Sequence, residues 1–273
     1  MVDSGNSLER LLNRDSSIII GCLIAITLLA WLYIVTLAQG MARGDMSLMG
    51  IESSGALANL TGSLVMGPMP WTLSTIGLMV VMWWIMMIGM MVPSAAPMIL
   101  IFARVQRKKL TSENPSVRIA LFTLGYLLLW LAFSLVATLL QWGFGFLALL
   151  TSKMASSSTY FGVAILFTAG IYQLTPLKQA CLAKCQSPII FISSHWRDGD
   201  WGAFKMGLAH GAYCVGCCWF LMGLLFFGGV MNLVWIAIIA IIVLLEKILP
   251  RGRLFSRASG VGMICFSVLL LLQ

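Results

Sequence analysis

Charge is what this chain has least of. Asp, Glu, Lys and Arg make up 10% of its 273 residues, against 60% hydrophobic, which excludes a soluble domain with a polar surface and describes a chain whose solvent is mostly lipid. Catalytic motifs are missing too. No catalytic serine motif, phosphate-binding glycine loop or HExxH occurs, and no paired carboxylates stand inside an apolar run. Hydrolysis and phosphoryl transfer are therefore disfavoured, and the chain reads as a binding protein before an enzyme. The first apolar run, Ser16 to Leu37, is too long for the core of a cleaved signal and lacks a convincing small-residue cleavage site, so it reads as a retained span. No aromatic-basic groove or recognised motif accompanies the net charge of +8, which argues against nucleic-acid binding.

Seven apolar runs of about 20 residues are present. They cover Ser16 to Leu37, Thr75 to Phe102, Arg118 to Trp142, Thr159 to Lys178, Ala203 to Phe227, Asn232 to Leu249 and Leu254 to Leu272. The expected fold is all-α, a polytopic transmembrane helix bundle forming one domain over 1–273, with a Gly/Ser/Met-rich outer loop at 38–74. Basic residues set its orientation. Of the 17 Lys and Arg residues, only Arg43 and Lys153 fall in one set of alternating loops. The rest place the N-terminus inside and the C-terminus out.

Methionine and cysteine are what the chain has in excess, with 18 and 7 residues. The stretch Met82 to Met98 reads MWWIMMIGMMVPSAAPM. Met82, Met86 and Met90 share one helix face, Met87 and Met91 occupy the adjacent stripe, and Pro93 and Pro97 follow. Methionine fills gaps in cores and is also a neutral thioether ligand for Cu(I). The fifth run supplies a second face: GLAHGAYCVGCCW carries His210, Cys214, Cys217 and Cys218, and histidine inside a membrane is costly unless it meets a ligand, partner or cavity. Gly211 and Gly216 offer room for neighbouring helices. The two helices run in opposite directions, and at about 1.5 Å per residue Cys214 and Met91 reach similar depths, so a metal site between spans two and five is expected from His210, Cys214, Cys217, Cys218, Met86, Met90 and Met91.

Further residues carry weaker signals. Glu246 stands inside the sixth run and is open to two partners, His210 as a carboxylate that orients a ligand, or Lys247 and the basic cluster at Arg251. Cys181 and Cys185, four residues apart, read as a transfer pair for a soft metal or as simple reduced cysteines. Met46 with Met49, and Met66 with Met69, form M-x-x-M pairs in the outer loop suited to metal capture. His195 reads as a solvated loop residue, and Cys22 and Cys265 as isolated thiols.

Four blocks in order, MMIGMMVPSAAPM, AGIYQLTPLKQACLAKCQSP, GLAHGAYCVGCCWFLM and EKILPRG, resemble a bacterial domain-of-unknown-function family described as predicted metal-binding integral membrane proteins. The resemblance implies a metal and a multi-pass protein of the bacterial inner (cytoplasmic) membrane, without naming the metal. Ligand chemistry points to Cu(I). Thioethers suit it and are poor ligands for Zn(II), and one monovalent ion with a single thiolate and neutral Met and His ligands leaves no net charge in lipid. The expected function is uptake, transfer or delivery of Cu(I), with the lipid bilayer and other membrane subunits or a cuproenzyme as partners. Two other classes stay open: membrane thiol or haem redox chemistry, with Cys214 and Cys217 or Cys218 as the thiol pair, and a non-catalytic subunit of a membrane complex.

The charge pattern predicts that reporter fusions at Lys109, Lys184 and Arg253 lie in the cytoplasm and one at Ser157 on the opposite side. An outward signal from the loop between runs two and three would overturn this orientation.

Overall fold

The computed structural model describes residues 3–43, 71–108, 115–151 and 154–272, with side chains over 17–40 in the first stretch and up to 107 in the second. The helices are α1 (Asp3–Arg43), α2 (Leu73–Lys108), α3 (Pro115–Phe146), α4 (Thr159–Leu174), α5 (Pro176–Gln186), α6 (Pro188–His195), α7 (Gly199–Gly223), α8 (Leu225–Gly228), α9 (Leu233–Ile248) and α10 (Gly252–Leu271). Among the described residues the only β-pairing is an isolated bridge between Leu150 and Ser156. The molecule is all-α.

Among the described residues, five helices are long and apolar enough to cross a membrane, or six if α4 and α5 count as one bent element. Seven were expected. The sixth run forms α9, whose 16 residues fall short of the about 20 that a straight span needs. The fourth run does not continue to Lys178. It breaks at Pro176, which has no N–H to donate and holds Thr175 extended at φ −69°, ψ 147°. Thr175 Oγ1 then accepts from Lys178 N at 3.3 Å and caps α5. The bend between α4 and α5 is 66°. The polar segment that follows is helical, forming α5 and α6.

Small residues let the site helices touch. A Cβ at Gly207 on α7 would stand 2.0 Å from Phe122 O on α3, and one at Gly125 on α3 would stand 2.5 Å from Phe204 O on α7. Helices surrounded by lipid gain little from burying apolar surface, so such close van der Waals crossings carry much of their association. Gly211 meets Leu129 of α3 at 2.9 Å, and Gly216 faces Cys181 Sγ of α5 at 3.1 Å, both measured from the built Cβ position. These are the neighbours that the glycines of the fifth run were expected to admit.

Pro93 and Pro97 lie inside α2, which continues through both. Pro93 cannot donate to the carbonyl of Gly89, one turn earlier. Trp31 of α1 takes that place, its Nε1 donating to Gly89 O at 3.2 Å. On the inward face Met79, Met82, Met86, Met87, Met90 and Met91 are all buried. The exterior is apolar, with Leu28, Leu29 and Leu32 of α1 exposed by 63%, 65% and 61%, a surface that needs an apolar solvent.

Gly207→Ala should lower stability by about 2 kcal/mol or more, because its methyl would meet backbone, which cannot rotate away. Gly143→Ala, with nothing within 4 Å of its Cβ position, is the control. Equal thermal midpoints for the two variants in detergent would contradict the close α3–α7 crossing.

Candidate metal centre

Cys214, Cys217 and Cys218 follow the i, i+3, i+4 rule and so share one face of α7. All three are buried, as are Cys185 on α5 and Met91 on α2. Cys217 and Cys218 each turn back along the helix, donating to Cys214 O at 3.2 Å and 2.9 Å. From there the sulfurs extend to both sides. Cys218 Sγ lies 3.9 Å from Met91 Sδ, and Cys217 Sγ lies 4.0 Å from Cys185 Sγ. Cys181 sits beside Gly216, one turn before Cys185. Sulfur from α2, α5 and α7 thus converges in one buried cluster.

A lysine enters the same cluster. Lys247 Nζ, on α9, donates to Cys214 Sγ at 2.9 Å and to Ser94 Oγ at 2.9 Å. Tyr126 on α3 adds a contact of 3.2 Å between its hydroxyl and Cys214 Sγ, and the same hydroxyl lies 3.1 Å from Met91 O. A buried ammonium is tolerated only against an opposite charge, and Cys214 is the sulfur it faces. Cys214 is thereby held from two helices besides its own, α9 and α3.

His210 lies one turn before Cys214 and is 3% exposed. Its ring is stacked on Tyr126 and Phe122, with centroids 5.5 Å and 6.1 Å away, and meets the edge of Phe191 at 5.4 Å. Its Nδ1 is buried without a hydrogen-bond partner among the described residues. Leaving such an atom unsatisfied costs about 1–3 kcal/mol.

Glu246 is placed elsewhere. Its carboxylate accepts from Lys178 Nζ at 2.7 Å and from Gln173 Nε2 at 2.8 Å, while its carbonyl accepts from Gln186 Nε2 at 2.6 Å. Neither His210 nor Lys247 is its partner, and the Arg251 cluster does not reach it through these bonds. Adjacent residues on a helix do not face each other, so Glu246 and Lys247 serve different networks. Ser256 of α10 completes this one, donating to Gln173 Oε1 at 3.1 Å. Lys178 and Lys247, counted among loop charges in the orientation argument, are in fact buried pairing groups.

Of the residues expected from the sequence, Cys214, Cys217, Cys218, Cys185 and Met91 come together. Met86 and Met90 are buried along the same helix, but the contact with the thiols is made by Met91. Met46, Met49, Met66 and Met69 lie outside the described residues. His195 is not a loop residue: it ends α6, with Nδ1 2.8 Å from Ser194 Oγ and its ring stacked on Phe191 at 4.7 Å. Cys22 and Cys265 are exposed and apart from the cluster. Sequence reasoning missed Lys247, Tyr126 and Ser94 as members of the site. The pair Glu246 and Lys247 inside an apolar run was the available signal, since an ionisable residue there has a partner or a function.

Among the described residues, no three His, Cys, Asp or Glu side chains form a ready cage for a metal ion. A tetrahedral Zn(II) site of the usual kind needs such a cage. Paired sulfurs, thiol with thioether and thiol with thiol, suit a soft ion of low coordination number.

A family model described as PpoB2, a copper chaperone, matches residues 80–270. This chain belongs to that copper chaperone family. No curated protein and no solved structure matches it. The family region begins within α2 and ends within α10, so it contains every member of the sulfur cluster, while α1 lies outside it.

Removing one partner of the Lys178–Glu246 pair leaves a buried charge uncompensated, which costs about 3–5 kcal/mol. Lys178→Met and Glu246→Gln should each lower the thermal midpoint, and the double variant should recover most of the loss. Additive losses in the double variant would show that the two side chains act independently.

Proposed function

We propose that this copper chaperone family member is an integral membrane protein that carries Cu(I) on the buried sulfur cluster of Cys214, Cys217, Cys218, Cys185 and Met91. One observation carries the reading: thiols from α5 and α7 and a thioether from α2 meet beside a buried ammonium. His210, with its unpartnered Nδ1, is the nitrogen ligand closest in sequence to the cluster. Copper is the cargo.

Charge counting favours the monovalent ion. The count expected from sequence, one thiolate per Cu(I), leaves out Lys247. With that ammonium present, Cu(I) and Cys214 thiolate alone would leave one positive charge in an apolar interior. A second thiolate, from Cys218 or Cys217, restores neutrality, whereas Zn(II) on the same two thiolates leaves the positive charge in place. The lysine therefore acts as a fixed counter-ion for a copper dithiolate and as a discriminator against divalent ions.

Seven spans with the N-terminus in the cytoplasm of a bacterial inner membrane remain the topology that the loop charges favour. In it α9 is a short span that local thinning of the bilayer accommodates, and α4 with α5 is one bent span. Cys185, 4.0 Å from Cys217, and Cys181, beside Gly216, then stand at the depth of the α7 thiols and accept or donate the ion there. The outer loop methionines capture Cu(I) or hand it to an outward-facing cuproenzyme or a neighbouring membrane subunit. A second reading, thiol redox chemistry, is favoured by one contact only. Cys185 and Cys217 lie 4.0 Å apart, which makes them a better thiol pair than Cys214 with either of its helix neighbours.

Purified under reducing conditions, the full chain should bind Cu(I) in preference to Zn(II). His210→Ala with Cys214→Ser should weaken Cu(I) binding by at least about 10-fold, whereas Cys22→Ser with Cys265→Ser should leave it unchanged. Replacing Met86, Met90 and Met91 by Leu keeps the apolar volume. It should weaken Cu(I) chiefly through Met91, so Met91→Leu alone should reproduce most of the effect. Metal analysis showing equal copper in the two double variants would remove the cluster as the site. Stoichiometric formation of a Cys185–Cys217 disulfide in place of copper binding would favour the redox reading.

A further inference from the structure

Apart from the sulfur cluster, a cavity of about 240 Å³ opens between the end of α6 and the start of α7, lined by His195, Arg197, Lys205, Met206 and Ala209. Lys205, Met206 and Ala209 stand on one side of α7 and form one wall. His195 and Arg197 form the other. The volume falls below the about 300–1,000 Å³ of a usual small-molecule pocket, so it suits a small charged group and not a whole cofactor.

Backbone geometry fixes Arg197 at this opening. Gly199, at φ 80°, turns the chain into α7. Gly202 leaves the room that the connection needs, since a Cβ there would stand 2.6 Å from Arg197 O. Arg197 N then donates to Met206 Sδ at 3.4 Å, which ties the connection to the buried wall of the cavity. The guanidinium of Arg197 and the ammonium of Lys205, both on exposed residues, are thereby brought to one cavity. The nearby carboxylates are engaged elsewhere. Asp198 accepts from Trp196 Nε1 and Asp200 from Arg118 Nε, both at 3.0 Å. Among the described residues neither Arg197 nor Lys205 has an ion-pair partner. Two cations without a counter-charge call for an anion.

The surroundings select which anion. Ile189 and Ile190 on α6 are 71% and 59% exposed, and Trp201 on α7 is 65% exposed. Lys205 Nζ lies 5.3 Å from the centre of the Trp201 ring, which in turn stacks on Phe204. Tryptophan and lysine beside exposed aliphatic side chains are what a membrane–water interface selects. We propose that this cavity binds the phosphate of an anionic phospholipid headgroup, held by Arg197 and Lys205, with the apolar surface of Ile189, Ile190 and Trp201 beside it for the glycerol and acyl chains. Basic pockets between membrane helices on the cytoplasmic side bind such headgroups. The guanidinium fork engages two phosphate oxygens, and the ammonium adds a point charge. The proposal rests on the membrane setting given above and is independent of copper. The lipid would also fasten α6 to α7: Phe191 of α6 stacks on His195 at 4.7 Å and meets the ring of His210 at 5.4 Å.

The test uses the full chain, stripped of lipid in dodecyl maltoside and titrated with dioleoylphosphatidylglycerol, dioleoylphosphatidylcholine or inorganic phosphate while its thermal midpoint is followed. Phosphatidylglycerol should raise the midpoint saturably, and phosphatidylcholine should not. A basic residue at an anionic headgroup contributes roughly 5-fold in affinity. Arg197→Gln with Lys205→Gln should therefore raise the half-saturating phosphatidylglycerol concentration about 30-fold, with the lipid-free midpoint unchanged because both residues are exposed. Lys205→Gln alone, with a shift of about 5-fold, keeps the test decisive should the double variant fold poorly. Arg253→Gln with Arg257→Gln removes the same charge from exposed positions on α10 and should bind lipid as the wild type does. Equal weakening in the two double variants would reduce the effect to attraction by a basic surface and overturn the site, as would a wild-type midpoint that phosphatidylglycerol leaves unmoved. Stabilisation by inorganic phosphate equal to that by the lipid would overturn the lipid assignment. Release of the chain from membranes by alkaline carbonate would instead overturn the membrane setting itself.

Discussion

Two ammonium groups enter the apolar interior of this bundle, and much of the arrangement around α9 follows from the need to neutralise them. Lys178 faces Glu246 at 2.7 Å and Lys247 faces Cys214 at 2.9 Å. A buried ion is stable only with a well-placed counter-charge and its remaining hydrogen-bonding capacity satisfied. Both conditions are met by side chains from several helices. Gln173 and Ser256 serve the first pair; Ser94 and Tyr126 serve the second. Such directional contacts, together with the glycine crossings of α3 and α7, do in an apolar solvent what a hydrophobic core does in water.

The same need shapes the chemistry. In the proposed reading the Cys214–Lys247 pair would offer a soft metal an anionic sulfur, while the other thiols of α7 lie at hydrogen-bond distance from a backbone carbonyl. Membership of a copper chaperone family fits a cluster that is assembled from pairs and is not closed into a cage. A cage with every ligand in place suits storage. Sulfurs in series suit an ion that must arrive and leave, because each new ligand can engage before the last is released.

What could be read from the sequence divides along physical lines. The cysteine face of α7 was legible because helical periodicity is local, and Met91 because depth follows from the rise per residue and the opposite directions of two spans. The glycines at 211 and 216 were legible as sites of close approach. Lys247 was not. Its role depends on a contact between segments 33 residues apart in the chain, and no local pattern encodes which face of α9 meets α7. Lys178 was misread as a loop charge because Pro176 turns the chain by 66° and returns that lysine to the interior. Span counting is least direct at α9 for a related reason: apolar composition is visible in sequence, but the length at which a helix stops is set by Asn232 and Leu249 at its ends.

Glu246 and Lys247 are neighbours on one helical turn with their side chains committed to different networks. Glu246 is bound through its carboxylate to α4 and α5 and through its carbonyl to Gln186, so the backbone at this point is fastened from both ends of the residue. A swing of α9 that withdrew the ammonium from Cys214 would have to tear those bonds at the same time. The ammonium is held in turn by Cys214 Sγ and Ser94 Oγ, both at 2.9 Å, so the charge beside Cys214 is as stationary as the helix that carries it.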